Sequence, residues 1–212
     1  VVGAVAVAAA AFSRRHAGAP PIAPDPDADH ATDLLRMATG VSPPTAAAEA
    51  LGGYLVTVSD HGMNASTFAA RVVASTGTDL VSAVVAAIGA LKGPLHGGAP
   101  GPVLDMLDAL GAESNARPWL EEELAAGRRI MGMGHRIYRA RDPRAAILER
   151  LAKTLGSPAV EARIGLARAV EREAELLLAA KKPERPLKAN VEFFAAVLLD
   201  ALGLDRATFT PI

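Results

Sequence analysis

The chain contains no cysteine, so its five histidines are the first candidates for chemistry. Without cysteine there is no thiolate nucleophile, no disulfide framework and no Cys-based zinc site, and any reaction must rest on His, carboxylate, Ser and Arg. Three histidines stand beside glycine: His61 in Ser-Asp-His-Gly, His96 in Leu-His-Gly-Gly, and His135 in Gly-Met-Gly-His-Arg. A single histidine in such a place is more often structural. Glycine next to it lets a ligand approach the backbone closely, however, and three such turns at helix mouths would make one polar pocket from distant segments.

The rival chemistries are weaker. Three histidines could bind zinc, yet neither HExxH nor a pair at i and i+4 is present. Gly132-Met133-Gly134 begins a Gly-x-Gly, but the third glycine, the preceding strand and a βαβ texture are missing. Ser59 and Ser66 lack a Gly-x-Ser-x-Gly elbow, and Ser66 in Asn-Ala-Ser-Thr reads as a helix-start cap. Around His135 lie Arg128, Arg129, Arg136, Arg139, Arg141, Arg144 and Arg150. They read either as a solvated surface or as an anion site for carboxylates or phosphates.

The elements that must hold these residues read as helices. Aromatic residues are 4% of the chain while Ala, Leu and Val dominate, which favours an all-α fold packed through small side chains. Residues 17–29, with four prolines, read as an ordered surface loop. Helical spacing marks 31–37, 45–59, 66–75 and 78–92, then 102–110, 118–126, 143–155 and 159–182. The segment 78–92 is apolar on nearly every side, as expected of a helix in a core or a subunit interface. On the longest helix Val160, Ile164, Ala167, Val170, Ala174 and Leu177 form one stripe. Texture changes near Gly97, and the following helices are more charged.

Length and charge bound the remainder. The 212 residues suffice for one large domain or two small ones. A net charge of −1 with 21% charged residues gives no electrostatic reason to bind nucleic acid or an anionic membrane. The apolar opening to Phe12 is well short of the roughly 20 residues of a membrane span, and its basic residues follow rather than precede it, unlike a signal peptide. A cytoplasmic setting is expected.

Four motifs carry a resemblance. They are Ser59-Asp60-His61-Gly62-Met63-Asn64-Ala65-Ser66-Thr67-Phe68, Ile88 to Gly98 (IGALKGPLHGG), Ile130 to Arg144 (IMGMGHRIYRARDPR), and Asn190-Val191-Glu192-Phe193 with Phe209-Thr210-Pro211-Ile212. In this order they resemble the citrate synthase family. The resemblance implies an all-helical, two-domain homodimer that condenses oxaloacetate with acetyl-CoA, with no permanently bound cofactor. Residues 1–97 would form part of a large domain, 98–203 a small domain, and 204–212 a return to the large one.

Site roles follow from the resemblance. His96 would donate to the enolate oxygen as a neutral ring, its tautomer fixed by a local group, Ser66. Glu192 would be the base. His135 would polarise the ketone and protonate the alkoxide, while His61 and Arg144, with Asn64 and Ser66, would hold oxaloacetate. Ile130, Met131, Gly132, Met133 and Gly134, with Arg139 and Asn190, would meet the acyl-CoA, the glycines leaving backbone open to it. The family commonly has Asp where this chain has Glu192 and Pro where it has Ala189. Its members extend beyond both ends of this chain and carry further substrate arginines after the Phe-Thr-Pro segment, so the expectation is of a piece of a longer protein. Two alternatives accompany this reading: a 2-methylcitrate synthase using propionyl-CoA, and a non-catalytic helical module.

Overall fold

A computed structural model describes residues 2–93, 96, 100–134, 141–181, 184 and 187–212. Among these residues every long element is a helix and no strand forms. The order is α1 (Val2–His16), α2 (His30–Thr39), α3 (Thr45–Val58), α4 (Ala65–Ala74), α5 (Leu80–Leu91), α6 (Pro100–Leu110), α7 (Ala116–Ala125), α8 (Pro143–Lys153), α9 (Pro158–Lys181) and α10 (Val191–Ala201). The expectation of an all-α chain holds, and each helix read from spacing is present within a few residues of its expected ends.

Local chemistry sets several boundaries. Asp29, Asn64, Asp79, Asp142 and Asn190 each cap a helix start by accepting a first-turn backbone N–H. Gly40 closes α2 in the left-handed conformation at φ 85°. The proline-rich loop after α1 is held by Arg36, whose Nη2 donates to the Ala23 carbonyl at 2.7 Å, and by Asp33, which accepts from the Asp25 N–H at 3.1 Å.

The core is organised on α10. This helix is apolar along almost its whole length, and Phe193, Phe194, Leu198 and Leu199 are fully buried. It packs against α8, α6, α9 and α3. Burying each of these side chains contributes roughly 1.5–3 kcal/mol, so α10 is the element to which its neighbours are fitted. On α9 the expected stripe faces inward, with Val160, Ile164, Ala167, Val170 and Ala174 buried. The rest of the core is laid down by α1 on α2, α2 on α3, and α3 on α8.

One pair of helices stands apart. α4 buries none of its residues and α5 buries only Ala83. The two pack on each other, and Phe68, Val72, Leu80, Val81, Val85 and Ile88 are left exposed. Of the two places expected for the all-apolar segment, the core of this chain is therefore excluded. Its apolar sides face outward.

Candidate active site

The loop between α3 and α4 carries the first site residues. Asp60 accepts the Gly62 N–H at 2.7 Å, and Gly62 takes φ 66°, which turns the chain sharply past exposed His61. Asn64 then caps α4, its Oδ1 accepting from the Thr67 N–H at 2.8 Å and from the Ser66 hydroxyl at 2.9 Å. The cap is thus Asn64 and not Ser66, which corrects the sequence reading. The capping oxygen must come from the residue ahead of the first turn, and Ser66 already lies within it.

Ser66 has another task. Its backbone N–H is one of the first-turn donors that a helix cannot satisfy internally, and it donates to His96 Nε2 at 3.0 Å. Nε2 is therefore the acceptor nitrogen and the ring proton sits on Nδ1. Residue 66 fixes the tautomer of His96, through its main chain rather than its hydroxyl.

A second cluster gathers at the starts of α8 and α10. The turn at 130–134 is stitched to the segment before α10: Asn190 N–H donates to the Gly132 carbonyl at 2.9 Å, and Gly134 N–H to the Lys188 carbonyl at 2.7 Å, around a bridge between Met133 and Ala189. Asn190 works at both ends of its side chain. Its Oδ1 caps α10 at the Glu192 N–H, 3.0 Å away, and its Nδ2 donates to the Gly134 carbonyl at 3.0 Å. Ile130 and Met133 are buried and Met131 packs against the core. The close approach at the glycines is made by protein: a Cβ on Gly132 would lie 2.7 Å from Phe193 Cδ2, and one on Gly134 3.0 Å from Leu187 Cδ2.

Glu192 sits in the first turn of α10, partly buried. Burial pushes its carboxyl above the usual glutamate range. The nearby Arg144 cation pulls it down and the Asp142 carboxylate pushes it up. Glu192 in turn bears on Tyr54 of α3, whose phenol is raised by burial first and by the Glu192 charge second.

Arg144 is mostly shielded and is held by Asp142, which is fully buried. Nε donates to Asp142 Oδ1 at 3.1 Å and Nη2 to Oδ2 at 2.8 Å. Nη1 reaches the Asp60 carbonyl at 3.5 Å, beside His61. The chain from Asp60 to Ser66 therefore joins the Arg144–Glu192 cluster to the His96 cluster. His135 and Arg139, the other two residues expected here, lie outside the described residues. Asp142 and Tyr54 were missed by sequence reasoning. The Asp-Pro-Arg cap signal was visible for Asp142, whereas only the packing of α3 on α8 and α10 reveals Tyr54.

A groove of about 670 Å³ between the segment after α6, α9 and α10, lined by Ala112, Arg163, Leu166 and Asp200 among others, holds none of these residues.

The sequence profile of the citrate synthase C-terminal domain matches residues 1–212, the whole chain. The chain belongs to the citrate synthase family. It is 40% identical to citrate synthase 2 of Bacillus subtilis over 204 residues, 96% of this chain and 53% of that protein. It is 42% identical to 2-methylcitrate synthase of Mycobacterium tuberculosis over 202 residues, 94% of this chain and 49% of that protein. Among solved structures, it superposes with a TM-score of 0.88 on the citrate synthase of Thermoplasma acidophilum in ternary complex with carboxymethyl coenzyme A and oxaloacetate, at 27% identity, covering 99% of this chain and 55% of that one. The citrate synthase of Pyrobaculum aerophilum gives a TM-score of 0.86 at 35% identity, covering 98% of this chain and 51% of that one. The chain spans about half the length of the curated citrate synthases it matches.

Proposed function

We propose that this chain supplies the catalytic half of an enzyme that condenses acetyl-CoA with oxaloacetate to give citrate and CoA. The observation that carries the reading is the Ser66 N–H bond to His96 Nε2, 3.0 Å long. It leaves Nδ1–H as a neutral donor of the kind needed where negative charge grows on a thioester carbonyl.

In this reading Glu192 takes a proton from the acyl methyl while His96 Nδ1–H stabilises the enolate oxygen. The new carbanion equivalent attacks the ketone carbon of oxaloacetate, and His135 protonates the resulting alkoxide. Water then cleaves the citryl thioester and releases CoA. A base whose carboxyl is raised by burial is better matched to an acidic C–H than an ordinary glutamate. His61 and Arg144 hold the dicarboxylate, Arg144 through its planar fork. Asn64 and Ser66 are assigned to positioning around it. The segment 130–134, Arg139 and Asn190 are assigned to the acyl-CoA. No resident cofactor or metal is part of this mechanism.

The partner in this reading is a second copy of the chain, supported by the exposed apolar faces of α4 and α5. Residues 1–97 with 204–212, and residues 98–203, are proposed as the large and small bodies whose relative movement closes the site. No helix among the described residues is long and apolar enough to cross a membrane, and a cytoplasmic setting goes with the reading.

The 42% identity to a 2-methylcitrate synthase favours a second reading with propionyl-CoA as donor. One methylene in an acyl pocket discriminates by only about 1–3 kcal/mol. Release of CoA from acetyl-CoA and from propionyl-CoA, each with and without oxaloacetate, tests both. Oxaloacetate-dependent release with acetyl-CoA preferred supports the first, with propionyl-CoA preferred the second. No oxaloacetate dependence with either, in a folded intact protein, makes the chain a non-catalytic member.

A further inference from the structure

We propose that Asp142 is a positioning residue of the condensation site, fixing the plane of the Arg144 guanidinium and balancing that cation's charge beside Glu192. The inference rests on the reading above of Arg144 as the dicarboxylate clamp and Glu192 as the base.

Asp142 does more than a helix cap requires. As a cap it needs one oxygen, and Oδ1 accepts the Arg144 N–H at 3.0 Å. Its second oxygen takes Arg144 Nη2 at 2.8 Å while Oδ1 also takes Nε at 3.1 Å, so one edge of the fork is fully engaged. A guanidinium is planar, so fixing the Nε–Nη2 edge fixes the direction of the Nη1–Nη2 edge. That second edge is turned toward Asp60, whose carbonyl lies 3.5 Å from Nη1, and hence toward the His61 loop. Asp142 is itself anchored from the other side, its N–H donating to the Ala189 carbonyl at 3.2 Å, three residues before Glu192. The carboxylate therefore stands where the starts of α8 and α10 meet, and it is fully buried.

The charge argument uses the same placement. Among the described residues the groups acting on Glu192 are Arg144 of α8 and Asp142 at its cap, and Glu192 in turn acts on Tyr54 of α3. Arg144 alone would favour the carboxylate and weaken it as a base. Asp142 opposes that pull, and burial then decides the outcome.

Asp142→Asn separates the roles, because asparagine caps a helix as well as aspartate does but carries no charge and only one acceptor oxygen. In the intact protein this variant should stay folded but melt several degrees lower, because Arg144 loses its buried counter-charge, and bind oxaloacetate roughly tenfold more weakly. Its KM for acyl-CoA should stay within about twofold, and the acid limb of its rate profile should move to lower pH. In an Arg144→Lys background, where there is no fork to hold, the same change should cost less than about threefold in oxaloacetate affinity. An active wild type whose Asp142→Asn variant shows unchanged oxaloacetate binding and an unmoved acid limb overturns this proposal alone. So does an equal loss of affinity in both backgrounds, which would mark a cap acting through the fold. A wild type with no oxaloacetate-dependent CoA release overturns the reading of the site, and this proposal with it.

Discussion

Glu192 carries opposing demands, because a carboxylate shielded from water is a stronger base and a less stable charge. Its folded-state carboxyl lies above the usual value, chiefly through burial. A group raised in this way contributes stability that is fully present below the unfolded glutamate value and is lost as pH rises through the folded one. Glu192→Gln should therefore raise the melting temperature at pH near 8 and give little gain at pH near 4, close to the unfolded glutamate value. Thermal denaturation at the two pH values checks this, and a larger gain at the acid end would contradict it. If Glu192 is the base, the same displacement should place the acid limb of the wild-type rate profile above the range of an ordinary glutamate. Arg144→Ala should move that limb further up, since it removes the cation that favours the charged form. His96 is held by a main-chain group. Its tautomer is set by a backbone donor, so Ser66→Ala should leave kcat within about threefold of wild type, any loss falling on the KM for oxaloacetate, which Ser66 is assigned to position.

At the scale of elements, the turn at 130–134 and the start of α10 act as one unit. Gly132 sits at φ 72° with the Phe193 ring where a Cβ would go. Gly132→Ala should cost roughly 2–4 kcal/mol in chemical denaturation, from the left-handed backbone and the clash together. The sequence showed the glycines and suggested an open backbone for a ligand, but it could not show that Phe193 and Leu187 occupy the space. α10 itself was legible only as a motif. The run Val191 to Ala201 is apolar without helical period, because it is surrounded by α3, α6, α8 and α9, and a helix buried all round loses its amphipathic signature. By contrast, the α9 stripe faces one side of the core and was readable in advance. Among the described residues the ladder bonds around Met133 and Ala189 fall on Lys188 and Asn190.

At the scale of the molecule, the proposed site draws on four distant stretches: the 60–66 loop, His96, the start of α8 and the start of α10. The glycine-flanked histidines suggested one pocket from distant segments, but only the resemblance of the four motifs named Arg144 and Glu192 as its other members. What the sequence did show directly was an apolar segment at 78–92 needing cover. The exposed faces of α4 and α5 include Phe68, Leu80, Val81, Val85 and Ile88. A patch of this kind is covered by a partner or drives aggregation. Val85→Lys with Ile88→Lys should convert the proposed dimer to a folded monomer in sedimentation, with helical circular dichroism retained. A wild type that sediments as a monomer at micromolar concentration would remove the second copy from the account.

If Glu192 is the base of an oxaloacetate-dependent condensation, CoA release in the wild type, Glu192→Asp and Glu192→Gln will show it. Release should require oxaloacetate and survive in Asp, whose carboxylate is set back by about 1 Å and whose rate changes by up to about a hundredfold. It should be lost in Gln. Equal release from the Gln variant and the wild type would contradict the account.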